Sequence, residues 1–110
     1  MPVTPALKVE ALSKDFRSQR RLADALGVSP AQVSRWRHGK GIDEANGDRL
    51  DLLELTISML RRLYEPETVE DWLFGLNPHL RNRRPIDVIR LGAVEDILAA
   101  IRQERAGSYV

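Results

Sequence analysis

The apolar residues of this chain recur at helical spacing, and this spacing restricts the fold more than any other feature. Two apolar stripes run along residues 48–64, and together they are wide enough to be buried on more than one side. Runs that alternate apolar and polar residues, the mark of strands, are missing. Another stretch follows the i, i+3, i+4, i+7 pattern of an amphipathic helix: Val94, Ile97, Leu98 and Ile101. We therefore predict an all-α fold.

Hydroxyl residues, proline and glycine mark the ends of the predicted helices. Ser18 and Ser29 stand where a side-chain oxygen caps a helix start, and Pro30 fits the first helical position. Gly27 fits the left-handed residue that ends a helix. Residues after 103 are too few and too rich in Gly and Ser to be helical. The predicted helices are 6–16, 19–26, 30–38, 48–64, 66–74, 85–91 and 93–103, with a glycine-rich connection at 39–47.

Length and composition exclude several functional classes. A chain of 110 residues can form a core but cannot enclose a deep active site. Cysteine is absent and the two histidines are far apart, so we predict no disulfide, no metal and no cofactor. We find no nucleophile–base set and no phosphate-binding glycine loop, so an enzyme is disfavoured. No apolar run reaches the ~20 residues of a membrane span, and we expect a cytoplasmic protein without a membrane partner.

Charge is distributed unevenly along the chain. Residues 1–45 carry eight basic and five acidic side chains, whereas residues 46–110 carry nine basic and eleven acidic ones. A basic first half weakly indicates a polyanionic partner. We therefore divide the chain into a first region, 1–45, and a second region, 46–110.

Residues 19–39 have the pattern of a DNA-binding helix-turn-helix. This motif needs a small residue where two helices cross, a glycine in the turn and a branched apolar anchor in the second helix. Ala23, Gly27 and Val33 supply these residues, and Trp36 follows one turn after Val33 as the next inward side chain. The alternative is a helical hairpin that binds no nucleic acid, because short helix–glycine–helix patterns also occur by chance.

The outward face of the second helix of this motif would read DNA. Arg35 is the best base reader, because a guanidinium can donate two hydrogen bonds to guanine. Gln32 is expected to complete a capping box with Ser29. One short helix gives a small footprint, so we expect a dimer that reads two half-sites about 34 Å apart. Residues 48–64 are either its interface or the central helix of the fold. The predicted DNA-binding residues are Ser29, Pro30, Ala31, Ser34 and Arg35, with Arg20, Arg21, Arg37 and Lys40 near phosphates.

The second half resembles the C-terminal region of the Xre/MbcA/ParS-type antitoxin family. The resemblance rests on a Trp72-Leu73 helix, an Asn77-Pro78 turn, the basic-proline start at 84–87, the Gly92 break and the final amphipathic helix. With the helix-turn-helix upstream, the resemblance covers nearly the whole chain. It implies a helix-turn-helix unit followed by a small helical toxin-binding unit.

The resemblance also implies a function and partners. Members of this family neutralise RES-domain toxins that consume NAD⁺, by docking on the toxin and obstructing its NAD⁺ pocket, and they repress their own promoter. It implies two partners, the toxin and operator DNA. It also implies a homodimer or a larger hetero-oligomer with the toxin. Tyr109 offers a flat ring for a nucleotide-sized pocket, and the terminal carboxylate could meet basic residues there. The blocking tail would be 104–110, with contacts from Arg105, Gly107, Ser108, Tyr109 and Val110.

Several alternatives stay open from the sequence. The second half could instead dimerise a free-standing Xre-like repressor, and the tail could be an ordinary frayed terminus. The basic cluster Arg81, Arg83 and Arg84 is either a contact for an acidic partner or phosphate, or a solvated face. The adjacent carboxylates at 70–71 and 95–96 point in different directions and more plausibly complement helix dipoles than catalyse.

Overall fold

The computed structural model describes residues 4–107, and the regular elements in this range are all helices, joined by turns and loops. Pro78–Leu80 forms one turn of 3-10 helix. None of the helices in this range has the length and apolar character needed to cross a membrane. The α-helices are α1 (Pro5–Ser13), α2 (Gln19–Leu26), α3 (Pro30–Arg37), α4 (Glu44–Leu60), α5 (Pro66–Phe74), α6 (Pro85–Arg90) and α7 (Val94–Gly107).

Helix α4 is the central helix of the fold. It packs against α1 and α2 from the first region and against α6 and α7 from the second. Leu50, Leu53 and Leu60 on α4 are fully buried, and the apolar core is one cluster that takes residues from both regions. The wide apolar surface of residues 48–64 is therefore accounted for by burial inside the fold, with Leu55 left 45% exposed.

The predicted caps of α2 and α3 are confirmed. The Ser18 hydroxyl accepts a hydrogen bond from the Arg21 N–H at 3.2 Å, and the Ser29 hydroxyl accepts one from the Gln32 N–H at 3.1 Å. Gly27 ends α2 in the left-handed conformation with φ 73°, as predicted. Each bond satisfies an amide that the first turn of a helix leaves without an intrahelical partner.

The predicted bounds of the central helix are wrong at both ends. Helix α4 begins at Glu44, within the predicted connection, because the Asp43 carboxylate caps it. Asp43 accepts hydrogen bonds from the Asn46 N–H at 3.2 Å and from the Asn46 side-chain amide at 2.7 Å. The helix ends at Leu60 rather than 64, and a tight turn leads to Pro66.

The predicted end of the last helix is also wrong. Helix α7 continues past residue 103 to Gly107, so the first part of the predicted tail is helical. The Tyr64 hydroxyl and the Glu104 carboxylate form a hydrogen bond, which ties the last turns of α7 to the segment that follows α4. This tertiary contact offsets the weak helical tendency of the local sequence.

Candidate nucleic-acid interface and partner-binding end

The crossing of α2 and α3 has the predicted inward residues. Ala23 and Val33 are fully buried, and Trp36 is 1% exposed. The turn between the helices is covered from the second region, since a Cβ on Gly27 would lie 3.0 Å from the Arg90 Nε atom. Position 27 therefore requires glycine both for its positive φ and for the space that Arg90 occupies.

The outward face of α3 presents most of the predicted DNA-reading residues to solvent. Pro30, Ala31 and Arg35 are exposed, and Ser34 is half-buried. Ser29 is exposed, although its hydroxyl is engaged in the cap. All but Ser34 are thus exposed on one short helix and its cap, as the prediction of a DNA-reading helix requires.

Gln32 is used differently from the prediction. Its side-chain Oε1 accepts a hydrogen bond from Arg35 Nη2 at 2.7 Å, so the predicted return bond of a capping box is replaced by a contact one turn along the helix. A guanidinium carries five N–H donors, and the bond to Gln32 leaves others for a base. Gln32 therefore orients Arg35 on the exposed face.

The four predicted phosphate-contacting residues separate into two groups. Arg20 and Lys40 are exposed and form no ion pair within residues 4–107. Arg21 and Arg37 instead hold the motif on the rest of the molecule through carboxylates of other helices. Of the predicted DNA-binding cations, Arg20, Arg35 and Lys40 have no carboxylate partner in this range.

A polar network that the sequence did not reveal fixes α3 on α1 and α2. Arg37 Nη2 lies 2.7 Å from a carboxylate oxygen of Glu10 on α1, and Arg37 Nη1 donates to the Gln19 side chain at 2.7 Å. The Gln19 amide then donates to the Pro30 carbonyl at 3.1 Å. Glu10 and Arg37 are far apart in sequence, so no local pattern could have paired them.

Glu70 forms the second attachment of the motif, and it was also missed. Its side chain on α5 is 2% exposed. The Arg17 backbone N–H donates to Oε1 at 2.8 Å, and the Arg17 guanidinium donates to Oε2 at 3.2 Å. The Arg21 guanidinium pairs with the same Oε2. The expectation that Glu70 merely complements a helix dipole is therefore wrong, since its charge is neutralised by two arginines.

Aromatic packing reinforces this attachment. The Arg21 guanidinium lies 4.2 Å from the centre of the Phe74 ring, in cation–π geometry. Phe74 meets Phe16 edge to face, with ring centres 6.4 Å apart. The start of α2 is thus held on α5 by charge and by apolar contact together.

The predicted partner-binding segment begins in the last turn of α7. Arg105 is half-buried and Gly107 is exposed, both in the last turn of α7. Ser108, Tyr109 and Val110, the other predicted contacts, lie outside the described residues. The predicted blocking segment is therefore continuous with a helix that is anchored through Glu104.

The sequence and the fold are both similar to those of known antitoxins. No family model matches the chain. It is 29% identical to the mycobacterial cidal antitoxin MbcA of Mycobacterium bovis and of Mycobacterium tuberculosis, over 81% of this chain and 80% of theirs. It is 31% identical to a probable mycobacterial cidal antitoxin of M. tuberculosis, over 93% of this chain and 88% of that protein.

A solved structure extends the similarity to the fold. The crystal structure of the M. tuberculosis MbcT–MbcA toxin–antitoxin complex contains a chain that matches with a TM-score of 0.76 and 26% identity, over 96% of each chain. This match confirms the all-α prediction, and the sequence relatives confirm the family that the second half resembles. The chain therefore belongs to the family of the mycobacterial cidal antitoxin MbcA, and it is the antitoxin of a toxin–antitoxin pair.

Proposed function

We propose that this antitoxin neutralises a RES-domain, NAD⁺-consuming toxin by docking on it and blocking its NAD⁺ pocket. The observation that carries the proposal is the match along 96% of both chains to a protein from a toxin–antitoxin complex. Inhibition by binding suits a small helical chain of this kind, because it needs a complementary surface rather than a catalytic constellation.

The proposed blocking element is the segment 104–110. Helix α7 supplies a rigid base up to Gly107, and residues 108–110 would extend from it into the toxin pocket. The tyrosine at 109 provides a ring of nucleotide-like size for such a pocket. A rigid base favours affinity, because less ordering is required on binding.

The same chain would repress its own promoter through α3. The support is the exposure of Pro30, Ala31 and Arg35 next to half-buried Ser34, together with the exposed cations Arg20 and Lys40. Because one such helix reads few base pairs, we propose that two copies act together, as a homodimer or within a larger assembly with the toxin. The region 1–45 would then serve DNA, and the region 46–110 would serve the toxin.

Truncation tests the inhibitory part of the proposal. The variant that ends at Gly107 keeps the Tyr64–Glu104 contact, so it should fold like the full chain. We expect it to lose inhibition of NAD⁺ consumption by the RES-domain protein encoded beside it, while still co-purifying with that protein. Full inhibition by the shortened chain would refute the blocking role.

Co-purification from the native operon separates the proposal from its alternative. A free-standing repressor would bind its upstream DNA and capture no RES-domain protein from the native operon. Capture of such a protein in a complex of defined mass would support the antitoxin assignment with this toxin class.

A further inference from the structure

The segment that contains the 3-10 helix and leads to α6 is closed by its own hydrogen bonds. The Asn77 side chain is buried, and its Oδ1 accepts a hydrogen bond from the His79 N–H at 2.9 Å. The Asn77 N–H donates to the Arg83 carbonyl at 3.1 Å, and the Asn82 N–H donates to the Asn77 carbonyl at 2.9 Å. These bonds close the segment 77–83 into a fixed loop, here called the arginine loop.

Two consecutive residues of the arginine loop have an unfavourable backbone conformation. Arg81 and Asn82 both have φ 59°, and neither is glycine. Asparagine tolerates this left-handed region well, but a long side chain such as that of arginine does so at a cost. Residues held in such conformations are concentrated where a side chain must be presented in a defined direction.

The three arginines near this loop differ in what they contact. The Arg83 Nε donates to the Leu80 carbonyl at 2.9 Å, and Arg83 Nη2 lies 3.7 Å from Asp96. Arg84 donates two hydrogen bonds to the Asp87 carboxylate, at 2.9 and 3.1 Å. Arg81 is exposed and pairs with no carboxylate in the part of the chain that the structure describes. Among these three arginines, Arg81 is therefore both the one with a positive φ and the one without a carboxylate partner in the described residues.

Arg81 lies beside the proposed toxin-binding end. A groove of about 260 Å³ is lined by Arg81, His79 and Asp96, among others. His79 also lines a neighbouring groove, together with Glu104 and Gly107 at the end of α7. A partner that receives the residues after Gly107 would therefore also cover the arginine loop.

We propose that Arg81 is an anchor for the toxin, whose guanidinium binds a carboxylate on the surface that flanks the toxin's NAD⁺ pocket. The inference rests on the proposed function and names one of its contacts. A guanidinium on a fixed backbone gives a directed, bidentate bond to a carboxylate with little loss of freedom. Asp96 and Glu104 line the same grooves, and their charges favour a protein surface over a phosphate backbone.

Glycine substitutions at the two strained positions provide a matched test. Arg81→Gly and Asn82→Gly both place glycine where φ is positive, so neither should lower the unfolding temperature. We expect R81G to weaken binding to the co-encoded RES-domain toxin by about tenfold or more. N82G should bind like the parent chain. Arg81→Lys, which keeps the charge but loses the bidentate fork, should fall between them.

The outcomes separate the inference from the function on which it rests. If the parent chain does not bind the toxin at all, both fall together. If R81G binds the toxin as tightly as the parent does, the anchor role is wrong while the proposed function stands. If N82G weakens toxin binding as much as R81G does, the effect belongs to the loop backbone. If R81G loses only operator binding, the loop contacts nucleic acid. Each of these last two results also overturns the anchor role.

Discussion

At the scale of single residues, the side chain that most constrains this molecule is Glu70. It is buried, and its carboxylate accepts bonds from the backbone and side chain of Arg17 and pairs with Arg21. A buried carboxylate keeps its charge only when such partners compensate its lost hydration. Its neighbour Asp71 also meets Arg17, at 3.0 Å, but is 66% exposed. The two adjacent carboxylates therefore have very different structural roles.

Neutralising these two carboxylates in turn tests the difference. Glu70→Gln keeps the shape of the side chain but removes a charge-assisted set of hydrogen bonds, and we expect a loss of about 1.5–3 kcal/mol in the free energy of unfolding. Asp71→Asn should cost at most about 1 kcal/mol, as exposed pairs do. Urea denaturation of both variants measures the values. Equal effects would show that the Glu70 attachment adds nothing beyond a surface ion pair.

Arg35 carries the corresponding prediction for DNA. Its side chain is exposed and bonded only to Gln32 in the described structure, so Arg35→Ala should leave the unfolding free energy nearly unchanged. We expect affinity for the chain's own upstream DNA to fall by about 1–3 kcal/mol, with relaxed specificity at one position. A mobility-shift titration checks this. The control is Arg102→Ala, at an exposed site on α7, which should bind the DNA as the parent chain does. An unchanged DNA affinity for R35A would contradict the assignment of α3 as the reading helix.

At the scale of elements, several helix starts and stops were predictable from local signals, although the equally local Asp43 cap of α4 was missed. Ser18, Ser29 and Gly27 mark their helix ends because capping bonds and left-handed residues depend on a few neighbouring positions. The far end of α7 was not predictable, because the Tyr64–Glu104 contact joins residues 40 positions apart.

The candidate site divides in the same way. The inward set of α3, Val33 and Trp36, and the exposed position of Arg35 follow from helical periodicity alone. The roles of Arg21 and Arg37 do not, because a basic residue on a helix surface looks the same in sequence whether it faces a phosphate or a distant carboxylate. Their partners, Glu70 and Glu10, come from other helices that only the fold brings near.

The Asp43 cap predicts a pH dependence for helix α4. Hydrogen bonds from Asn46 lower the pKa of Asp43 below its usual value. An aspartate with a lowered pKa in the folded state stabilises it at neutral pH, and this contribution is lost as the pH falls through the folded pKa. Asp43→Ala should therefore reduce the unfolding free energy at pH 7, and the gap to the parent chain should narrow at pH 3.

Denaturant titrations at the two pH values measure this gap. Asp43→Asn retains an oxygen that can cap the helix, so it serves as the control and should lie closer to the parent chain at pH 7. A gap for Asp43→Ala that stays constant between pH 7 and pH 3 would contradict the role of the ionised carboxylate.

At the scale of the whole molecule, the two functional regions share one core. Helices α1 and α2 pack on α4, α2 packs on α6, and Arg90 covers the turn at Gly27. Such continuity favours a single cooperative unfolding transition. The proposed division at residue 45 then concerns the partner proposed for each region rather than independent folding.

The two tryptophans allow this cooperativity to be measured. Trp36 lies in the first region and Trp72 in the second, so Trp72→Phe and Trp36→Phe each leave one fluorescent reporter. Within each variant, we expect the fluorescence and far-ultraviolet dichroism midpoints to coincide in urea. A fluorescence midpoint that departs from the dichroism midpoint in either variant would reveal two separately unfolding units.

The contacts of Gly27 and Glu70 also limit how this chain can be recombined with its relatives. A chimaera that exchanges only the outward residues of α3 keeps every attachment intact and should acquire a new operator preference. Exchange of the whole first half would separate Arg17 and Arg21 from Glu70 and the tight turn from Arg90. We therefore expect grafts of the proposed DNA-reading unit between such proteins to fold only when the matching patches of α5 and α6 are transferred with it.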